Sequence, residues 1–450
     1  MKTGTIVGAG LAGSLWAVYL AKAGYKVTVF ERRPDIRKAE ISAGKSINLA
    51  LSERGWTALR EVGLDRMVED LAIPMYGRIM HDEKAKLTFQ PYGEEGQAIF
   101  SVSRGGINAR MMDAAEQSGD VTIHYNHQCV DVDFENTKVT LLNKETNETI
   151  EHQSDVVFAC DGAFSAVRYN GFQKVDRFNF SQNYIADGYR EILLPANEDG
   201  SYKLDKNALH IWPRGEFMLI ALANEDGSFT CTLFMPFENH EYSFDKLNSR
   251  DDVDQFFREV FPDFHAMMPD VADQWETHPL SSLALMRCYP WTHENFALLG
   301  DAAHATVPFY GQGMNASMED CYVMGQLMKK HNENWTEVFK EYQEVRKPNG
   351  DALQDLSVHN YKVMRDLVAD PHFLLKKKFE HRIHDLYPEK YLSLYSMVSF
   401  SNIPYAEAMQ KGKEQDDFIE KIMRENDIEA RFENDTIDEL IHSIFQAEAV

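Results

Sequence analysis

The turn Gly8-Ala9-Gly10-Leu11-Ala12-Gly13 spaces three glycines as a pyrophosphate needs them. Gly8 permits the tight turn, Gly10 lets backbone approach the phosphates, and Gly13 lets the next helix pack closely on the sheet. Glu31, at the end of the following strand, suits a carboxylate that accepts from a pair of ribose hydroxyls. An acid there disfavours a 2′-phosphate, but this fingerprint by itself does not choose between NAD and FAD. Two later segments end strands with the same kind of chemistry. Residues 156–160 are continuously apolar and run into Asp161-Gly162. Residues 297–299 run into Gly300-Asp301, then through Pro308 to Gly311-Gln312-Gly313-Met314-Asn315, where a helix over about 314–330 is expected. The N-terminus of that helix is a ready site for negative charge.

The elements that must position these residues follow from local pattern. Residues 5–7 and 27–30 read as strands, and 11–23 as a helix closed by Gly24, which makes a βαβ unit with a parallel sheet. Residues 121–160 give several strands. Between 185 and 240, apolar runs separated by Gly and Asp turns signal an antiparallel sheet. From about 336 onward the pattern is helical, and Phe418, Ile419, Ile422 and Met423 share one helical face. There is no internal repeat and no long linker, so the parts are expected to interleave. The expected fold is α/β, a Rossmann-like domain with a mostly parallel sheet, interleaved with an antiparallel-sheet domain and followed by a C-terminal helical region. The expected boundaries are 1–72, 101–180 and 291–335 for the first domain, 73–100 and 181–290 for the second, and 336–450 for the helices.

Composition bounds the rest. The 450 residues carry a formal net charge of −25, which argues against nucleic acid or an anionic membrane as a partner held by general electrostatics. Five scattered cysteines without a CxxC pair argue against a disulfide framework and for a reducing, cytoplasmic setting. No stretch of about 18 apolar residues occurs, the N-terminal strand belongs to a motif rather than to a cleavable signal, and the charged residues 411–450 do not read as a membrane anchor. Histidine pairs such as His124 with His127 lack a third ligand, so no metal site is expected. His304 reads as a hydrogen-bonded structural histidine rather than an acid–base group.

The glycine turn, the Asp-Gly strand end and the Gly-Asp strand end, in that order, resemble the FAD-dependent aromatic hydroxylases related to para-hydroxybenzoate hydroxylase. The resemblance spans most of residues 4–325. It implies bound FAD, NADPH as a transient co-substrate without a Rossmann domain of its own, and O2. It places Asp161 on FAD and NADPH, Asp301 on the ribityl chain and Arg104 near the flavin. It adds Ala12, Arg32, Arg33, Ala50, Cys129, Ala166, Met314 and Asn315 as cofactor contacts, and the helix after Gly313 as the anchor for the N1–C2=O edge of a reduced flavin.

Further stretches resemble the kynurenine hydroxylases of that family: residues 44–52 with Arg54-Gly55, 73–75, 91–93, 210–214, 229–237 and 308–315. They imply L-kynurenine as substrate and 3-hydroxy-L-kynurenine as product, formed through the flavin C4a-hydroperoxide in tryptophan breakdown toward pyridine nucleotides. They also imply a soluble, cytoplasmic enzyme, with a homodimer as one assembly open to it. The amino-acid end of the substrate then falls to Arg78, Tyr92, Asn360 and Tyr395, with Phe309 and Tyr310 beside the flavin and the substrate ring. An arginine fork, two phenols and an amide are the right groups for such an end. Lys45 stands where that family often has arginine, and keeps the charge without the fork. The alternatives are a flavin hydroxylase or reductase for another aromatic compound, a non-catalytic flavin sensor, and a plain NAD dehydrogenase.

Overall fold

Thr3–Val7 is a short apolar strand in the interior of a six-stranded sheet. Across that sheet the order is Thr292–His293, Phe296–Leu298, Val156–Ala159, Thr3–Val7, Lys26–Phe30 and Val121–His124. All pairings are parallel except that of the two-residue edge strand. Parallel strands end at one edge, so the Gly8 turn, Glu31, Asp161 and Gly300-Asp301 all follow carboxyl ends at that edge. Ligands of open α/β sheets bind in that place. The computed structural model describes residues 1–38, 48–93, 96–364 and 370–447; Lys45 and the rest of its motif before Asn48 lie outside the described residues.

Helix Leu11–Lys22 is apolar on every side, with Gly13 through Leu20 buried. A helix buried all round must have cover on all faces, and here helices Arg104–Gln117 and Gly313–Lys330 pack against it opposite the sheet.

The second sheet has seven strands, in the order Ser281–Tyr289, Asn179–Leu194, Phe229–Pro236, Met218–Ala223, Ala208–Pro213, Gly77–His81 and Leu87–Pro91. It is antiparallel except between Ala208–Pro213 and Gly77–His81, where Leu209 pairs with Arg78 in parallel. Its two faces follow the period of two along each strand. Trp212, Leu219, Ala221, Cys231 and Leu233 point to one face and bury Phe256, Phe257 and Phe264 of two short helices and Phe261 between them. Ile211, Met218, Ile220 and Phe234 point to the other, against Phe309 and Tyr361. Arg78 belongs to this second face.

Helix Trp335–Lys362 contacts both sheets, and five further helices follow between Pro371 and Ala447. The amphipathic face read at Phe418, Ile419, Ile422 and Met423 packs against Phe379, Ile383 and Ile441, inside the C-terminal helices of the same chain. Among the described residues, no helix is long and apolar enough to cross a membrane.

Candidate active site

The glycine turn has the geometry its spacing implies. Gly8 has φ of +101°, a region that L side chains rarely adopt, and a Cβ there would sit 2.5 Å from the Cys160 carbonyl oxygen. A Cβ on Gly13 would run into the Gly8 carbonyl oxygen. Gly10 differs, since a Cβ there would meet no atom within 4 Å. It is also the N-cap of helix Leu11–Lys22, and no side chain there caps the free amides of the first turn.

Glu31 is buried and turned back onto this turn. It accepts from the Ala9 amide at 2.9 Å and from the Arg33 amide and Nε at 2.9 and 2.8 Å. Burial alone would raise its carboxyl, but the Arg33 hydrogen bond and charge, with the two amides, hold it below the usual carboxylate range. Arg32 beside it is exposed.

Asp161 reaches the start of the short helix Ala166–Asn170 that follows it, accepting at Oδ2 from the amides of Ala166 (2.6 Å) and Val167 (3.1 Å). Its Oδ1 is buried without a hydrogen-bond partner, and burial raises the carboxyl. Cys129 lies close enough for its thiol and Asp161 to repel as charges; burial first, then Asp161, pushes that thiol up to about 12. Asp301 makes no side-chain hydrogen bond among the described residues; burial raises its carboxyl, partly offset by the charges of Arg104 and His304. Asn315 is fully engaged, donating to the Ala50 and Gly311 carbonyls (2.8 and 3.0 Å) and accepting from the Ser52 amide (2.9 Å). Met314 is buried, and Ala12 sits near Gly300. Helix Gly313–Lys330 has no side-chain cap at Gln312.

These groups fit an FAD. There is an open cradle at Gly10, an orphaned buried oxygen on Asp161, and an uncapped 18-residue helix aimed from the loop after Gly311.

Across the site, three residues distant in sequence meet. The rings of Tyr92 and Tyr395 stack at 5.0 Å with 13° between planes, and the Arg78 guanidinium lies 5.3 and 4.9 Å from their centroids. Tyr310 extends the stack, 5.9 Å from Tyr395. Arg78 Nε is buried without a hydrogen-bond partner, the rest of the guanidinium lies against the two phenols, and Arg78 has no carboxylate partner among the described residues. Burial pushes the Tyr92 hydroxyl far above its ordinary value, so it stays a donor. Asn360 is placed differently. Its Nδ2 donates to the Phe309 carbonyl at 2.7 Å, and no hydrogen bond joins it to Arg78. Phe309 itself stacks on Tyr361 at 3.9 Å and meets Phe234 at 4.9 Å.

Several contributors escape a reading by motif. Tyr361 adjoins Asn360 and forms the wall behind Phe309. Glu191 and Tyr189 lie on the site-facing side of strand Asn179–Leu194, within reach of the Arg104 charge, and burial raises the Glu191 carboxyl. Strand alternation from Ile192, which faces the opposite core, is the signal that finds Glu191. His304 is buried and donates through Nε2 to Asp320 at 2.6 Å. Burial would raise Asp320, but His304 and Arg346 beside it bring it to about 2.

Comparison with known proteins agrees with this architecture. The model of the family described as "FAD binding domain" matches residues 2–357. The chain is 45% identical over 446 residues to a kynurenine 3-monooxygenase of Christiangramia forsetii, covering 99% of each chain. It is 47% identical to one of Flavobacterium johnsoniae, covering 98% of each, and 41% identical to one of Sus scrofa, covering 90% of this chain and 85% of the other. Among solved structures, 2-methyl-3-hydroxypyridine-5-carboxylic acid oxygenase superposes with a TM-score of 0.67 at 18% identity, over 83% of this chain and 95% of that one. A tetracycline destructase superposes with a TM-score of 0.60 at 19% identity, over 90% and 99%.

Proposed function

The chain belongs to the kynurenine 3-monooxygenase family, within the wider family of FAD-binding domains, and from that premise we propose that it hydroxylates L-kynurenine at C3. The reaction consumes NADPH, a proton and O2. One oxygen atom replaces hydrogen on the ring carbon ortho to the amino group, the other leaves as water, and NADPH supplies the two electrons. Bound FAD supplies the chemistry that carries those electrons to oxygen.

The observation that carries this reading is the buried Arg78 guanidinium, which faces the phenols of Tyr92 and Tyr395, has a free Nε and meets no carboxylate among the described residues. A buried guanidinium without a carboxylate is costly unless a ligand supplies one. The carboxylate of an amino acid meets that need through a two-point fork. Tyr395 and Tyr310 shield the contact from water and so strengthen it. Asn360 keeps its amide oxygen to accept from the substrate ammonium, since Nδ2 is held by the Phe309 carbonyl. The aryl end then lies along Ile211, Ile220 and Phe234 toward Phe309, where apolar walls exclude water from the reacting carbon. At the cofactor end, the turn at Gly8 and Gly10 takes the pyrophosphate, Glu31 the ribose and Asp301 the ribityl hydroxyls, with Arg104 close by. No side chain in this reading acts as a general base. The protein's contribution is placement and dryness. A cytoplasmic, reducing setting belongs to the same reading, supported by five buried cysteines that are all free thiols.

The test is NADPH oxidation by the FAD-loaded protein with and without L-kynurenine, with products identified by mass. The expected result is strong stimulation and a product heavier by one oxygen. Stimulation that yields only hydrogen peroxide would make L-kynurenine an effector and sink the substrate assignment.

A further inference from the structure

Arg54 is among the largest fully buried side chains of the molecule, yet the reaction has no step for it. It leaves the first turn of helix Glu53–Glu61, two residues beyond the Ser52 amide that Asn315 holds. Its guanidinium runs toward the C-terminal region. Nε donates to the Val398 carbonyl at 3.1 Å, and Nη2 donates to Met397 at 3.4 Å and to Ile403. The first two carbonyls close the last turn of helix Leu394–Ser399, where acceptors have no partner within the helix. Tyr395 sits on that six-residue helix.

The guanidinium is fixed from the opposite side as well. Nη1 donates to Glu319 Oε1 at 2.6 Å, and Glu319 Oε2 accepts from Arg346 at 2.6 Å. The Arg54 guanidinium also lies 3.9 Å over the ring of Tyr405, whose hydroxyl donates to Gln312 at the loop before helix Gly313–Lys330. One planar cation therefore ties a C-terminal helix to the frame of the cofactor site. Only arginine offers enough donors in one fork to do so.

We propose that Arg54 is a positioning residue of the substrate site, holding helix Leu394–Ser399 so that Tyr395 stays stacked on Tyr92 and over Arg78. The inference rests on the substrate reading above. Arg54 touches neither substrate nor FAD; it acts through Tyr395. A purely structural ion pair would affect how much protein folds and loads FAD, and so the amount of active enzyme, without changing the apparent affinity of what remains.

The test uses the FAD-loaded full chain, wild type and Arg54→Lys, with FAD content, thermal midpoint, and KM and kcat for L-kynurenine measured on each. Lysine keeps a charge beside Glu319 but cannot reach three carbonyls at once. The expected result is wild-type FAD content, a KM raised roughly tenfold, and a smaller share of NADPH oxidation ending in hydroxylated product, since small misplacements in such sites are costly. In a Tyr395→Leu background the same change should move KM by less than about twofold, because the two act as one unit. If Arg54→Lys fails to load FAD, Glu319→Gln decides, with roughly a threefold rise in KM expected from a loosened Arg54. A folded, FAD-loaded Arg54→Lys with KM unchanged overturns the proposal, as does an equally large effect in the Tyr395→Leu background. The two readings fail in different places. Wild-type protein that leaves L-kynurenine unhydroxylated sinks the substrate assignment and the inference resting on it, whereas working wild type with an unaltered variant sinks the positioning role alone.

Discussion

The two ends of the site are built by opposite means. The proposed cofactor end is mostly backbone; Glu31 is occupied by Ala9 and Arg33 and Asn315 by Ala50, Gly311 and Ser52, while Asp161 Oδ1 and the Asp301 carboxyl have no hydrogen-bond partner among the described residues. The proposed substrate end is mostly side chain, brought from residues 78, 92 and 395, and its buried guanidinium meets no carboxylate among the described residues. A backbone cradle is specified by a few consecutive residues and tolerates little change within them. A side-chain pocket is specified by residues hundreds of positions apart, and each can be altered with the fold intact.

The sharpest way to break this contrast is Gly13→Val. The added atoms collide with the Gly8 carbonyl, so the expected outcome is protein without flavin and a loss of more than about 3 kcal/mol, read by flavin absorbance per chain and by thermal melting. Retained flavin would show that the turn is not the cradle. The matching change at the other end, Arg78→Met, should leave flavin content at the wild-type level and raise KM for L-kynurenine about 100-fold, the scale for removing one partner of a buried charge-assisted contact.

The seven-stranded sheet also has a back, where a neutral histidine is built in. His210 Nε2 donates to the Asp205 carbonyl at 2.8 Å, which leaves Nδ1 to accept from His81 Nε2 at 2.9 Å. Burial pushes His210 down to about 4, with the Asp205 carbonyl opposing. Its neutral form is favoured in the fold, so its stability contribution is whole above the unfolded value of about 6.5 and is lost as pH falls toward 4. The melting midpoint should therefore decline across that window by the equivalent of about 3 kcal/mol, and His210→Asn should flatten the decline. A profile unchanged by that substitution would assign the acid sensitivity elsewhere. The smallest expected effect is Tyr92→Phe. It removes one hydroxyl and keeps the ring stack, so KM should rise roughly fivefold, the cost of one hydrogen bond.

The same contrast explains what could be read from the sequence. The glycine turn, Glu31, and the strand ends at Asp161 and Asp301 were legible because each depends on residues adjacent in the chain. The antiparallel sheet was legible as a sheet, but its phase was not used, and Glu191 on its site-facing side was missed for that reason. Arg78, Tyr92 and Tyr395 came only through family resemblance, since no local pattern links three such distant residues. Asn360 came the same way, and here it is tied to the Phe309 carbonyl rather than to Arg78. Arg54 was read only as part of a resembling stretch, and Glu319 and Arg346 not at all, for a different reason. Charges on helices usually mark solvated faces, and only the fold reveals that these three are buried together.

The most direct test of the central claim compares two substrates on two proteins: L-kynurenine and its analogue lacking the carboxylate, each with FAD-loaded wild type and Arg78→Met. The account predicts that Arg78→Met loses efficiency, as kcat/KM, on L-kynurenine by about 100-fold while handling the analogue as wild type does, because only L-kynurenine uses the fork. An equal loss on both substrates would contradict it, since Arg78 would then be acting on something other than the substrate carboxylate.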